Sequence, residues 1–102
     1  MKFRGHRRRV AVVCEILVCC RAGPVMAAVI VRRCNLCNDT FHFFGDELVR
    51  CGFLSKNISH EQTFYGTTRL GLDFLRKFGE LQAVVAPLER SFGKLLLSLI
   101  HI

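Results

Sequence analysis

The sequence predicts a mainly α fold, on three observations: an apolar run of helical length from Val10 to Cys20, a C-terminal stripe of apolar residues at helical spacing, and a single short stretch of strand-like alternation between them. At 102 residues, the chain is long enough for one small core. Its 51% hydrophobic and 23% charged residues fit a packed or membrane-associated chain rather than a disordered one.

Residues 1–31 form the first expected unit. A basic stretch over 1–9, the apolar run and a small-residue segment from Arg21 to Ala28 follow the order of a secretory signal peptide, with Val25-Met26-Ala27 as its cleavage region. Glu15 opposes that, because a carboxylate in mid-run has to be desolvated or protonated to enter a membrane. A transmembrane helix over Val10–Val31 is long enough to cross, yet it carries Glu15, Arg21, Gly23 and Pro24, and each central charge costs about 2.5–3.5 kcal/mol. The alternative is a short buried helix ending before Gly23-Pro24, followed by a Val/Ile strand from Val25 to Val31. Membrane contact through residues 10–31, in a secreted or membrane-anchored protein, is therefore one expectation.

Residues 32–66 form a cysteine-containing hairpin region. Cys34-Asn35-Leu36-Cys37 is a C-x2-C pair, whose spacing lets two thiolates from one tight turn meet the same tetrahedral zinc ion. The remaining ligands of a zinc knuckle come from Cys51 and from His60 or His42, without the second paired spacing of a zinc ribbon. Thr40 to Cys51 reads as strand, Gly45-Asp46 turn and strand, a short β-hairpin near 40–51. On such a strand His42 alternates away from Phe41 and Phe43, towards solvent. Six cysteines suit disulfides in a secreted chain, but Cys14, Cys19 and Cys20 lie in the apolar run, where a free thiol behaves as a small hydrophobe. Asn57-Ile58-Ser59 is a glycosylation sequon that matters only outside the cell.

Residues 67–96 form an amphipathic helical region. Phe74, Phe78, Leu81, Val85, Leu88, Phe92, Leu95 and Leu99 recur at alternating spacings of four and three, one stripe on a helix. Thr67 or Thr68 supplies the N-cap, and Arg76, Lys77, Glu80, Glu89, Arg90 and Lys94 fall on the solvated side. Pro87 costs about 3 kcal/mol in a helix interior, so a break or kink is expected there.

Charge and motifs exclude more than they identify. The net charge of +7 is concentrated in Lys2, Arg4, Arg7, Arg8 and Arg9, and leaves ten basic against eight acidic residues over 10–102. That pattern is a basic tail rather than a basic face, and it disfavours a nucleic-acid partner. No Gly-x-Ser-x-Gly, phosphate-cradling loop or His-Glu-x-x-His is present. A Cys51–His60 pair is too weak a pattern for a nucleophile and base, so no enzyme is expected.

Leu97-Ser98-Leu99-Ile100-His101-Ile102 resembles the in-frame translation of a transposase-end sequencing adapter, and no protein family. That resemblance implies a tail derived from sample preparation over 97–102, and a natural frame running on past Leu96. Nine Phe, one Tyr and no Trp raise a further question, because Phe codons are the reverse complements of Glu and Lys codons. A charged helix on the opposite strand turns into a Phe- and Leu-rich one while keeping its period. The resulting expectation is a spurious (antisense) or truncated reading frame with no assignable function. The alternatives are a small zinc-knuckle binding module on Cys34, Cys37, Cys51 and His60, with zinc as cofactor, and a small secreted or membrane-anchored protein.

Overall fold

The computed structural model describes residues 9–92. The first helix, α1 (Arg9–Cys19), forms because Val12, Ile16, Leu17 and the following Cys20 fall on one side and are all buried. The chain then turns at Arg21–Pro24, with Gly23 at φ 155°. The apolar segment 10–31 is thus not a single span. It is divided into α1, a two-residue strand β1 (Val25–Met26) and a helix α2 (Ala27–Arg33). Among the described residues, no helix is long and apolar enough to cross a membrane. The expected strand from Val25 to Val31 is extended only over its first two residues. From Ala27 the chain closes into a helix that buries Ile30 completely, so tertiary packing overrides the strand preference of Val29-Ile30-Val31.

α2 ends in a Schellman motif. Asn35, at φ 54°, donates its N–H to the Arg32 carbonyl, and Leu36 donates to the Val31 carbonyl. Helix α3 (Asn38–Arg50) begins two residues later, where a hairpin is expected from sequence. The correction has a clear cause. Phe41, Phe44, Gly45 and Leu48 repeat at i, i+3, i+4 and i+7, and all four are buried on one face. Gly45-Asp46 is a helix interior rather than a turn, and Gly45 packs tightly there, since a Cβ on it would sit 3.3 Å from the Phe41 ring. A second Schellman motif closes α3: Gly52, at φ 89°, bonds to Val49 and Phe53 to Leu48.

The hairpin lies further on, as β2 (Leu54–Ser59) and β3 (Gln62–Thr67), paired from Leu54↔Thr67 to Ser59↔Gln62. Its two turn residues, His60 and Glu61, both have positive φ, the conformation of a type I′ turn, here built without the usual Asn-Gly. β1 adds antiparallel to the other side of β3, giving a sheet of order β1-β3-β2. The fold is therefore α+β: mostly helical, with a small three-stranded antiparallel sheet.

Helix α4 (Arg69–Phe92) is capped by Thr68, whose hydroxyl accepts from the Gly71 N–H at 3.2 Å and donates to the Gly52 carbonyl at 2.6 Å. It continues through Pro87 instead of breaking there. The Ala83 carbonyl that loses its helical partner belongs to an exposed residue, so water can take its place. The core gathers Val12, Ile16 and Leu17 of α1, Ile30 of α2, Phe41, Phe44 and Leu48 of α3, and Leu54 and Tyr65 of the sheet. Phe41 and Tyr65 meet edge to face at 5.2 Å, which fixes α3 against β3. Thr67 ties β3 to α1 by donating its hydroxyl to the Leu17 carbonyl at 2.6 Å and its N–H to the Cys20 carbonyl.

Candidate functional site

The residues expected to bind zinc are not brought together. Cys34 is the buried C-cap of α2, and Cys37 is the exposed N-cap of α3, so the C-x2-C spacing is that of an interhelical turn. Cys51 caps the far end of α3, and His60 lies at the hairpin tip. His42 lies on the exposed face of α3. Among the described residues, no group of three or more His, Cys, Asp or Glu could hold a metal ion. The sequon residues Asn57-Ile58-Ser59 form the exposed middle and end of β2. The hexapeptide Leu97–Ile102 and the first eight residues lie outside the described residues.

What the turn does build is a helix-turn-helix: α2, the Asn35 cap, then α3. α3 has two sides of opposite character. One packs on the core through Phe41, Phe44 and Leu48; the other presents Asn38, Asp39, His42, Phe43, Asp46 and Glu47 to solvent. Spacings of four residues put Asn38, His42 and Asp46 on one ridge and Asp39, Phe43 and Glu47 on the next. Phe43 is a large apolar side chain left 49% exposed, held edge-on against the buried Phe44 at 5.3 Å. Beyond α3, β2 is an edge strand with five consecutive exposed residues from Ser55 to Ser59, including Lys56.

The charges are unevenly placed. Over residues 38–63, Asp39, Asp46, Glu47 and Glu61 outnumber Arg50 and Lys56, and Arg50 is already bonded to Glu47 at 2.5 Å. That pair holds the Glu47 carboxyl below its ordinary range, through the hydrogen bond first and the charge second. Two further cations sit at the other side of the turn. Arg32 and Arg33, in the last turn of α2, are exposed and have no ion-pair partner among the described residues. Asp46 also reaches inward electrostatically: burial first, and then its charge, push the Tyr65 hydroxyl above its ordinary value.

A helix-turn-helix followed by a β-hairpin, with a third strand supplied from just before the first of its two helices, has a counterpart among solved structures. The fold is similar to that of Sso10a-2. The crystal structure of Sso10a-2, a DNA-binding protein from Sulfolobus solfataricus, matches with a TM-score of 0.70 over 88% of this chain and 97% of that one. Identity is 16%, so the likeness to Sso10a-2 is one of fold. No protein-family model and no curated protein matches the chain. The likeness overturns the expectation of a spurious frame without assignable function, and with it the expectation that disfavours nucleic acid. The signal that points to α3 is in the sequence: an apolar i, i+3, i+4, i+7 set from Phe41 to Leu48, preceded by an Asn at helix-end spacing. The alternation of Phe41, His42 and Phe43 obscures it.

Proposed function

We propose that this chain binds double-stranded DNA, with α3 as the helix that enters the major groove and β2–β3 alongside it. One observation carries the proposal: α3 leaves a whole side uncovered, and the helix before it in the helix-turn-helix ends on the exposed Arg32 and Arg33. In a helix-turn-helix the second helix presents its N-terminal residues to base edges while the first crosses the backbone. Asn38 and His42 are then base-reading candidates, and Arg32, Arg33 and Lys56 are phosphate contacts. The likeness of fold to a DNA-binding protein supports the same assignment. Catalysis forms no part of it.

The acidic balance of the α3 face sets the kind of binding. Non-specific affinity comes from cations on phosphates, so four carboxylates near the groove weaken it and leave selectivity to base contacts. Fluorescence anisotropy of a labelled duplex, titrated with the full 102-residue chain at several salt concentrations, tests this. Affinity is expected to fall linearly with salt on logarithmic axes. Replacing Arg32 and Arg33 by Ala is expected to reduce the slope by about 1.8, at about 0.9 for each phosphate no longer neutralised. An absence of duplex binding at 50 mM salt would defeat the proposal.

A further inference from the structure

Phe43 has no role in the core that explains its size. It stands 49% exposed on the outward side of α3, and Phe44, itself buried, fixes its ring by an edge-to-face contact at 5.3 Å and 86°. Of its neighbours one turn away, Thr40 at i−3 is buried, while Asp39 at i−4, Asp46 at i+3 and Glu47 at i+4 are exposed carboxylates. The first three turns of α3 hold no Arg or Lys, and Arg50, in its last turn, is engaged by Glu47.

Each base pair offers a different pattern in the major groove. Guanine presents two acceptors, which Arg or Lys normally reads; cytosine presents an amino donor; thymine presents a 5-methyl group. An apolar ring fits the thymine methyl, a carboxylate fits the cytosine amino donor, and neither offers guanine the donor that its two acceptors need. Resting on the reading that α3 enters the major groove, we propose that Phe43 is a specificity-determining residue that selects thymine through its 5-methyl group. Asp46 accepts from the amino group of a neighbouring cytosine. The preferred site is then a pyrimidine-containing step on the strand facing Phe43, with guanine excluded at that position.

The test separates the proposal from the reading beneath it. Duplexes bound by the full chain are selected from a randomised library, and each thymine in the selected site is replaced in turn by uracil, which differs only by the methyl. The expected result is a loss of about fourfold in affinity at one position, the value of one buried methyl group. Phe43→Ala is expected to bind the thymine and uracil duplexes equally, and Phe43→Leu to keep part of the difference. Because Phe43 is half outside the core, thermal melting of both variants checks that they fold as the parent does. Binding without a uracil penalty at any position, or a penalty that persists in Phe43→Ala, overturns the inference and leaves DNA binding standing. A change in sedimentation of Phe43→Ala with the uracil penalty intact also overturns it, by assigning the ring to a protein contact. Failure to bind any duplex defeats the reading itself.

Discussion

At the scale of single residues, the two ends of the thiol range show what burial and hydrogen bonding do to the same group. Cys37, exposed at the head of α3, shares a hydrogen bond of 3.0 Å with the Thr40 hydroxyl, and that bond holds its thiol below the ordinary range. Cys20 is 1% exposed, and burial, helped by Cys19 and Cys34, pushes it up to about 12. Cys14 and Tyr65 are also raised, in both cases mainly by burial. A group whose folded pKa lies above its unfolded value contributes stability that is present below the unfolded pKa and lost as pH rises towards the folded one. Urea denaturation under reducing conditions is therefore expected to show a decline in stability from about pH 9 towards about 12, with Cys20 supplying at most about 1.4 kcal/mol per pH unit. Cys20→Ala lowers stability below about pH 9 and makes the alkaline decline shallower; an unchanged slope would contradict the assignment. None of this is visible in the C-x2-C pattern, because spacing alone cannot distinguish a metal turn from the cap-to-cap turn of two helices. The Asn35 φ of 54° and the burial of Cys34 decide it.

At the scale of elements, legibility follows the length of the periodic signal. The apolar run of α1 and the long stripe of α4 each repeat over enough residues to leave one period standing, and both are helices, with Thr68 capping the second. α3 is harder to read because its helical set, Phe41, Phe44 and Leu48, is interrupted by Phe43, which belongs to the outward face and mimics alternation. The true hairpin is hidden because β2 buries only Leu54 and its turn uses His60-Glu61 in place of Gly or Asn. Two glycines of α4 show how the element is seated. A Cβ on Gly71 would fall inside the contact distance of the Phe53 carbonyl oxygen and 2.7 Å from Thr67 Cγ2, whereas one on Gly79 would meet nothing within 4 Å. Gly71→Ala is expected to destabilise by about 1–3 kcal/mol. Gly79→Ala is expected to stabilise by about 0.5–1 kcal/mol, since Ala loses less backbone freedom in a helix. Equal signs in chemical denaturation of the two variants would mean that α4 does not pack on the Phe53 turn as described.

At the scale of the whole molecule, the charge pattern has to be reconciled with the polyanionic partner proposed above. Residues 10–102 carry ten cations against eight carboxylates, and half of those carboxylates cluster on α3 and the hairpin turn, so the body alone attracts DNA weakly. The remaining five cations are Lys2, Arg4, Arg7, Arg8 and Arg9, a density of charge that suits phosphate contact without sequence information. The sequence shows this partition, and a basic tail on a near-neutral body reads there as the want of a basic face; under the proposed function it becomes a division of labour between affinity and base reading. Division of labour makes a measurable demand. Replacing Lys2, Arg4, Arg7 and Arg8 together by Gln is expected to weaken duplex binding on every sequence by the same factor, and to lower the salt slope by up to about 3.6, at about 0.9 for each phosphate. The rank order of selected sites stays fixed, because phosphate contacts position a protein without choosing bases. If affinity and slope are unchanged, Arg32, Arg33 and Lys56 carry the phosphates alone; if the rank order shifts, the tail itself reads the groove and the separation of roles is wrong.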